Sequence, residues 1–441
     1  MIIVPLIILI IPLIASAFYK SIKNASVAGA FLEMIMLIPL YFSLNYKGFF
    51  FITRINFIFI LMVSSVYLMS LLYSRKYIEG IENRGITEKN YYLLMNFFYI
   101  SMEFALMVNN YGFMWVGIET TTISSALLII TEKNDASLEA TWRYIIIVSA
   151  GVTFAFISVI LIYYSFHTLE VTAIIYRSST GDLPVRLAVG IALVGFGTKV
   201  GVFPMHTWLP DAHSEGPAPV SAMFSGVLLP TALYVLYRIY EIYPMPEIFV
   251  WAGTVSVLFA ALFLTYQHNY KRMFAYSTME NMNMALIGIG TGTYAGLVGS
   301  LVLLLAHSFG KAGAFYSTGE IMKISWTKDI NNISGFMKNK IVSSSLLISS
   351  FAVTGTPPYG TFFGEFLILY SVITIHYYAQ FIIILISIFI AFVSINLNVS
   401  KMIFKGDYKY NETNGSIIPL ISGIIAIFIG IVFLVIINEI L

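Results

Sequence analysis

The chain has 441 residues, of which 59% are hydrophobic and 10% charged, against about 25% charged in a soluble domain. Repeated apolar runs of about 20 residues exclude a soluble fold and predict an all-α polytopic membrane protein. The net charge of +2 says little, but the lack of cysteine excludes disulfides and cysteine-ligated clusters or haem, so any redox chemistry belongs to a partner.

Fourteen spans are expected in chain order, near 2–19, 26–44, 51–73, 91–110, 112–130, 143–164, 187–203, 218–239, 247–266, 272–290, 294–322, 341–373, 377–397 and 417–438. The first lacks a basic start and a small-residue cleavage site, so it reads as a span and not as a removed signal. The linker at 165–186 is partly apolar and suits a short interfacial helix, and no loop holds a soluble domain. Two spans are expected to be broken. Gly201, Pro204 and Pro210 interrupt the seventh, and Gly355, Pro357, Pro358 and Gly360 interrupt the over-long twelfth. These breaks are five spans apart. Spans 4–8 and 9–13 then form two five-helix units, and because five is odd the second enters from the opposite face, giving an inverted repeat. The expected segments are 1–90 (three helices), 91–240 and 241–400 (the two repeats) and 401–441 (the last helix).

With the N-terminus outside, one face collects seventeen of the 24 Lys and Arg residues, Arg177 being among the five on the other face and Lys409 among the seventeen. Lys199 and Lys311 fall within spans. This bias supports fourteen spans with both termini outside.

A charge at mid-membrane costs about 2.5–3.5 kcal/mol on the insertion scale, so the intramembrane ionisable residues are the candidate site. Lys199 ends the apolar run GIALVGFGTKV at the first break. Glu119, in GFMWVGIETTTISSALLII, is its candidate partner, each lowering the other's cost of burial; the plainer reading is an interfacial carboxylate bonded to neighbouring threonines. Lysine suits proton exchange, because burial moves it toward neutrality where arginine stays charged. His307 and Lys311 share a helix face through their i,i+4 spacing, a relay arrangement. Glu365 follows the second break, either as the repeat-mate of Lys199 or as a helix-start carboxylate facing a dipole. Glu33, Glu103 and Glu280 also lie in or near spans, and Glu280 is equally placed to neutralise the basic turn Lys271–Arg272. His206, Asp211, His213 and Glu215 lie at the first break, as a polar gate or proton entry or as caps of the turn; their spacing is not that of a metal site. GFGTK lacks the spacing of a phosphate loop, and the glycine-rich GIGTGTYAG follows no strand.

KVGVFPMHTWLPDAHSEGPAPVSAMFSG resembles the signature of the antiporter-like membrane subunits shared by respiratory complex I (NADH dehydrogenase), energy-converting [NiFe] hydrogenases and multisubunit Na+/H+ antiporters. WVGIETTTISSALLI, SLEATWRYIIIVSAG and YKRMFAYSTMENM lean toward hydrogenase-4 component F, and the short C-terminal end is like M- or F-type subunits. The resemblance covers about residues 50–400. It implies fourteen helices with two inverted repeats and a proton path through Glu119, Lys199, His307, Lys311 and Glu365. It departs at Pro230, where the family commonly has a lysine or histidine. The implied function is proton translocation in a redox-driven complex. The implied partners are other membrane and redox subunits, the lipid bilayer and protons or Na+, not nucleic acid; no cofactor and no quinone site are expected in this chain. The alternatives are a Na+/H+ antiporter subunit without redox partners, which gene neighbours would separate, and a structural subunit that no longer transports, which Pro230 motivates.

Overall fold

A computed structural model describes residues 3–45, 47–81, 84–175, 181–408, 410 and 415–440. Arg177 and Lys409 of the charge count lie outside these. In chain order the helices are α1 (Ile3–Ala17), α2 (Ile22–Tyr41), α3 (Arg54–Tyr77), α4 (Glu88–Met107), α5 (Tyr111–Ile129), α6 (Asp135–Phe166), α7 (Val171–Ile175), α8 (Leu183–Val200) and α9 (Trp208–Glu215). There follow α10 (Ala218–Met223), α11 (Leu229–Tyr240), α12 (Pro246–Thr265), α13 (Tyr270–Gly290), α14 (Tyr294–Ser325), α15 (Lys340–Val353), α16 (Gly360–Thr374), α17 (Tyr378–Phe404) and α18 (Ile418–Ile440). Extended pairing among the described residues is limited to isolated bridges. The protein is therefore all-helical, as expected, and the linker's described part holds only the one-turn-and-a-half α7.

Among the described residues, ten stretches are long and apolar enough to cross a membrane: those of α2, α3, α5, α6, α8, α10 with α11, α12, α14, α17 and α18. The helices α1, α15 and α16 are apolar but shorter. Neither α4 nor α13 reaches that standard, and the reason is chemical. Asn96 and Glu103 sit buried in α4, and Lys271, Glu280, Asn281 and Asn283 in α13, so these helices lose mean hydropathy to polar groups that face protein.

Thr or Asn caps several helix starts, although Thr207, before α9, does not. Thr53 and Asn134 each form a reciprocal box with the third helical residue, Asn56 and Ser137, and Asn269 accepts from the amides of Lys271 and Arg272. Both expected interruptions are present. Gly201, at φ +89°, closes α8 with its N–H on Gly197 O, and α9 resumes only at Trp208. The left-handed Gly355 (φ +59°) and the prolines 357 and 358 separate α15 from α16, while Thr361 Oγ1 donates across the gap to Ala352 O at 2.7 Å. Backbone opened in this way is tolerable only inside protein.

The chain divides into two compact units, Met1–Gly201 with Val227–Met245, and Val202–Gly226 with Pro246–Leu441. In the first, α8 lies against α6 so closely that a Cβ on Gly195 would overlap the backbone of Ala155. In the second, Gly364 of α16 meets Gly299 and Leu303 of α14 in the same manner. Small residues substitute for hydrophobic driving force where helices associate in lipid. Ile382, Leu385, Ile386 and Phe389 form an exposed apolar stripe along α17, at the i, i+3, i+4, i+7 spacing of one helix face.

Candidate functional site

In the first unit, α8 delivers Lys199 to a fully buried position. Its Nζ donates to Ile118 O at 2.9 Å and to Thr121 Oγ1 and Thr122 Oγ1, each at 2.6 Å. Three acceptors match the three protons of an ammonium group. Two of them are hydroxyls, which can also turn and donate, so the same cradle suits a neutral amine. Glu119, one residue from this cradle on α5, is half-buried and acts on the Lys199 charge; Ser149 of α6 bonds to it and its Oε2 has no hydrogen-bond partner. No direct ion pair closes between Glu119 and Lys199. The threonines that the plainer sequence reading gave to Glu119 serve the lysine instead.

In the second unit, α13, α14 and the start of α16 converge. His307, Lys311 and Glu365 are buried there, together with Glu280. Lys311 Nζ donates to Phe274 O at 3.0 Å and lies 5.8 Å from the centre of that ring. The charge facing it is Glu280, which also acts on Glu365. Asn281 Nδ2 donates to Glu280 Oε2 at 2.5 Å and to Val353 O at 3.2 Å, at the end of α15. A Cβ on Gly355 would collide with the Glu365 carboxylate, so the glycine of the second break makes room for it. Each of these residues thus acts electrostatically on the next, in the order His307, Lys311, Glu280, Glu365. Glu280 does not meet Lys271 or Arg272: Lys271 Nζ donates to Gly216 O at 3.0 Å and Arg272 pairs with Asp211 at 2.8 Å.

The π turn at Phe224–Leu228 explains the setting of His307. Its i,i+5 pattern would pair Ser225 O with the N–H of residue 230, and Pro230 has none. Ser225 O instead receives His307 Nε2 at 3.3 Å, while His307 Nδ1 has no partner.

The residues of the first break do not gather. Asp211 and Glu215 tie α9 down through Arg272 and Lys328, both at 2.8 Å. Burial works to raise the Glu215 carboxyl, but the Lys328 charge and hydrogen bonds override it and hold it below the usual carboxylate range. His206 is stacked between Phe203 and Phe263, each ring centre 5.6 Å away. His213 is fully buried on the face of Phe315, and both its ring nitrogens lack partners. It lies within reach of the charges of both Lys271 and Lys311. Among the described residues, no group of three or more His, Asp or Glu is placed to hold a metal.

Sequence reasoning left Glu280 undecided, assigned the threonines to Glu119 rather than to Lys199, and passed over Ser149 and Asn281. The signal for Glu280 was the cluster STMENMN, which sets five polar side chains in the middle of α13.

The family described as NADH:quinone oxidoreductase/Mrp antiporter, TM, matches residues 108–391. A relative described as hydrogenase-4 component F homolog, from Methylacidiphilum infernorum (isolate V4), is 33% identical over 364 residues, covering 78% of this chain and 76% of that one. In the structure of the membrane-bound sulfane sulfur reductase, an archaeal respiratory membrane complex, one chain superposes with a TM-score of 0.89 at 21% identity, over 99% of this chain and 96% of that one. A chain of respiratory complex I from Thermus thermophilus gives 0.84 at 19% identity, over 98% of each. The chain is a membrane protein of the NADH:quinone oxidoreductase/Mrp antiporter family, an antiporter-like subunit of the complex I and hydrogenase type.

Proposed function

We propose that this subunit moves protons across the bilayer in a complex whose redox chemistry belongs to partner subunits. The observation that carries the reading is the Lys199 cradle, a fully buried amine with one carbonyl and two reversible hydroxyls and with Glu119 beside it but not bonded to it. Such a lysine gains or loses a proton when its distance to the carboxylate changes. One charge crossing 100 mV takes about 2.3 kcal/mol, which is within what such a rearrangement supplies.

In this reading α8 with α9, and α15 with α16, are the broken seventh and twelfth of fourteen spans, in two inverted five-helix repeats at 91–240 and 241–400. Segment 1–90 supplies three flanking helices and 401–441 the last. Lys199 and Glu119 serve the first half-channel. His307, Lys311, Glu280 and Glu365 serve the second, and His213 links the basic face, through Lys271, to Lys311. His206 and Asp211 shape the entry, Asp211 by anchoring α9. The subunit needs no cofactor of its own. With Pro230 at the usual basic position, His307 on Ser225 O takes over as the relay.

The test is proton translocation by the assembled complex in membrane vesicles. Glu119→Gln and Lys199→Ala are expected to lower the protons moved per electron pair while the complex still assembles. Wild-type stoichiometry in both variants would remove the assignment, and would favour a structural role. Translocation that responds to a sodium gradient but not to electron transfer would favour the antiporter alternative.

A further inference from the structure

The first unit holds two more carboxyls, away from the Lys199 cradle. Glu33 on α2 is 1% exposed and Glu103 on α4 is fully buried. Glu103 Oε1 accepts from Ser64 Oγ at 3.3 Å, and Ser64 Oγ shares a 3.0 Å hydrogen bond with Tyr99 OH. Tyr99 OH lies beside both carboxyls, but no donor in good hydrogen-bond geometry reaches Glu103 Oε2 or either oxygen of Glu33. The two carboxyls act on each other, and the titratable groups beside them are Tyr67 of α3 and Tyr99 of α4. No Lys, Arg or His from α1, α2, α3, α4 or α11 acts on either.

Two carboxylates without a counter-charge are not sustainable in an apolar interior, where even one unpaired charge is costly. Buried polar atoms that lack partners call for an occupant. Three carboxyl oxygens without a well-formed hydrogen bond, beside the hydroxyls of Ser64 and Tyr99, supply a hard, oxygen-only environment suited to one small positive charge. A route to it is also present. Tyr67 stacks on Tyr99 with ring centres 4.2 Å apart. Tyr67 OH donates to Asn96 Oδ1 at 2.5 Å, and Asn96 Nδ2 donates to Ser26 Oγ at 3.0 Å and to Ser16 Oγ at 2.9 Å. Ser16 is half-buried near the end of α1, next to exposed Phe18, Tyr19 and Lys20 on the basic face.

We propose that Glu33 and Glu103, one of them keeping its own proton, bind one exchangeable monovalent cation, a proton or a sodium ion, reached through Ser16, Asn96 and Tyr67. The site shares no side chain with the Lys199 or Lys311 groups and stands whether or not those move protons.

Infrared difference spectroscopy of the full-length chain in lipid nanodiscs tests it. In sodium-free choline buffer, wild-type protein is expected to show a band from protonated buried carboxyls, part of which is lost in Glu33→Gln and in Glu103→Gln. Glutamine keeps the shape of each side chain, and either variant alone is sufficient. If added sodium chloride removes that same part, the occupant is sodium; if the band persists, it is the proton. No loss of band in either variant would overturn the site. Tyr67→Phe keeps the ring stack and should leave the band in place while slowing its hydrogen–deuterium exchange severalfold. Exchange at the wild-type rate would overturn the route.

Discussion

Lys199 and Lys311 are both fully buried, but their surroundings differ. Lys199 has hydroxyls that adapt to either protonation state, whereas Lys311 has one carbonyl, an aromatic face and the charge of Glu280. Thr122→Val keeps the side-chain shape and removes one charge-assisted hydrogen bond, about 1.5–3 kcal/mol. The vesicle assay should then show translocation slowed by about tenfold or more, since each 1.36 kcal/mol is a factor of ten. A wild-type rate would show that the cradle is only packing. Glu280→Gln should impair translocation as severely as Glu365→Gln, because Glu280 is the charged group that acts on both Lys311 and Glu365; a milder effect would remove it from the relay. Lys199 was legible in the sequence because a lone charge in an apolar run has few innocent explanations. Its ligands were not, because they come from α5, some eighty residues away, and Thr121 and Thr122 look like ordinary helix threonines. Glu280 was obscured by its basic neighbours, whose partners Asp211 and Gly216 lie on a different element.

At the scale of the element, breaks and tight contacts decide what the helices can do. Both interruptions could be read from Gly and Pro, whose backbone limits are local. The π turn could not, since it follows from Pro230 and the preceding turn together. Pro230→Ala restores an N–H to that turn and should release His307 from Ser225 O, detectable as a changed His307 imidazole resonance by NMR; an unchanged resonance would mean that the proline does not set the π turn. Gly195→Leu forces a side chain into Ala155 on α6. Overpacking of this kind costs about 1–3 kcal/mol, so the thermal unfolding temperature of the purified protein should fall. The Glu215–Lys328 pair ties α9 to the segment that follows α14. Because Glu215 titrates below its ordinary range when folded, the pair's contribution is complete above the unfolded carboxylate value and is lost as pH falls through the folded one. The pair is partly exposed, so that contribution is at most about 1 kcal/mol. Glu215→Gln should therefore lower stability at neutral pH by up to that amount, change it little at acid pH, and so flatten the acid side of the stability profile.

For the whole molecule, composition gave the helical membrane class directly, because apolar runs of this length have no soluble alternative. The grouping of 202–226 with the second unit was not legible, since it depends on packing between segments far apart in sequence. The exposed stripe of α17 is a surface for lipid or for a neighbouring subunit. The central claim is that buried side chains in this chain exchange protons, with Lys199 the group that must let one go. The most direct measurement is the number of protons translocated per electron pair by the assembled complex carrying Lys199→Arg. Arginine keeps the positive charge but does not release its proton, so translocation should fall as far as in Lys199→Ala while assembly and electron transfer persist; a wild-type number would contradict the account.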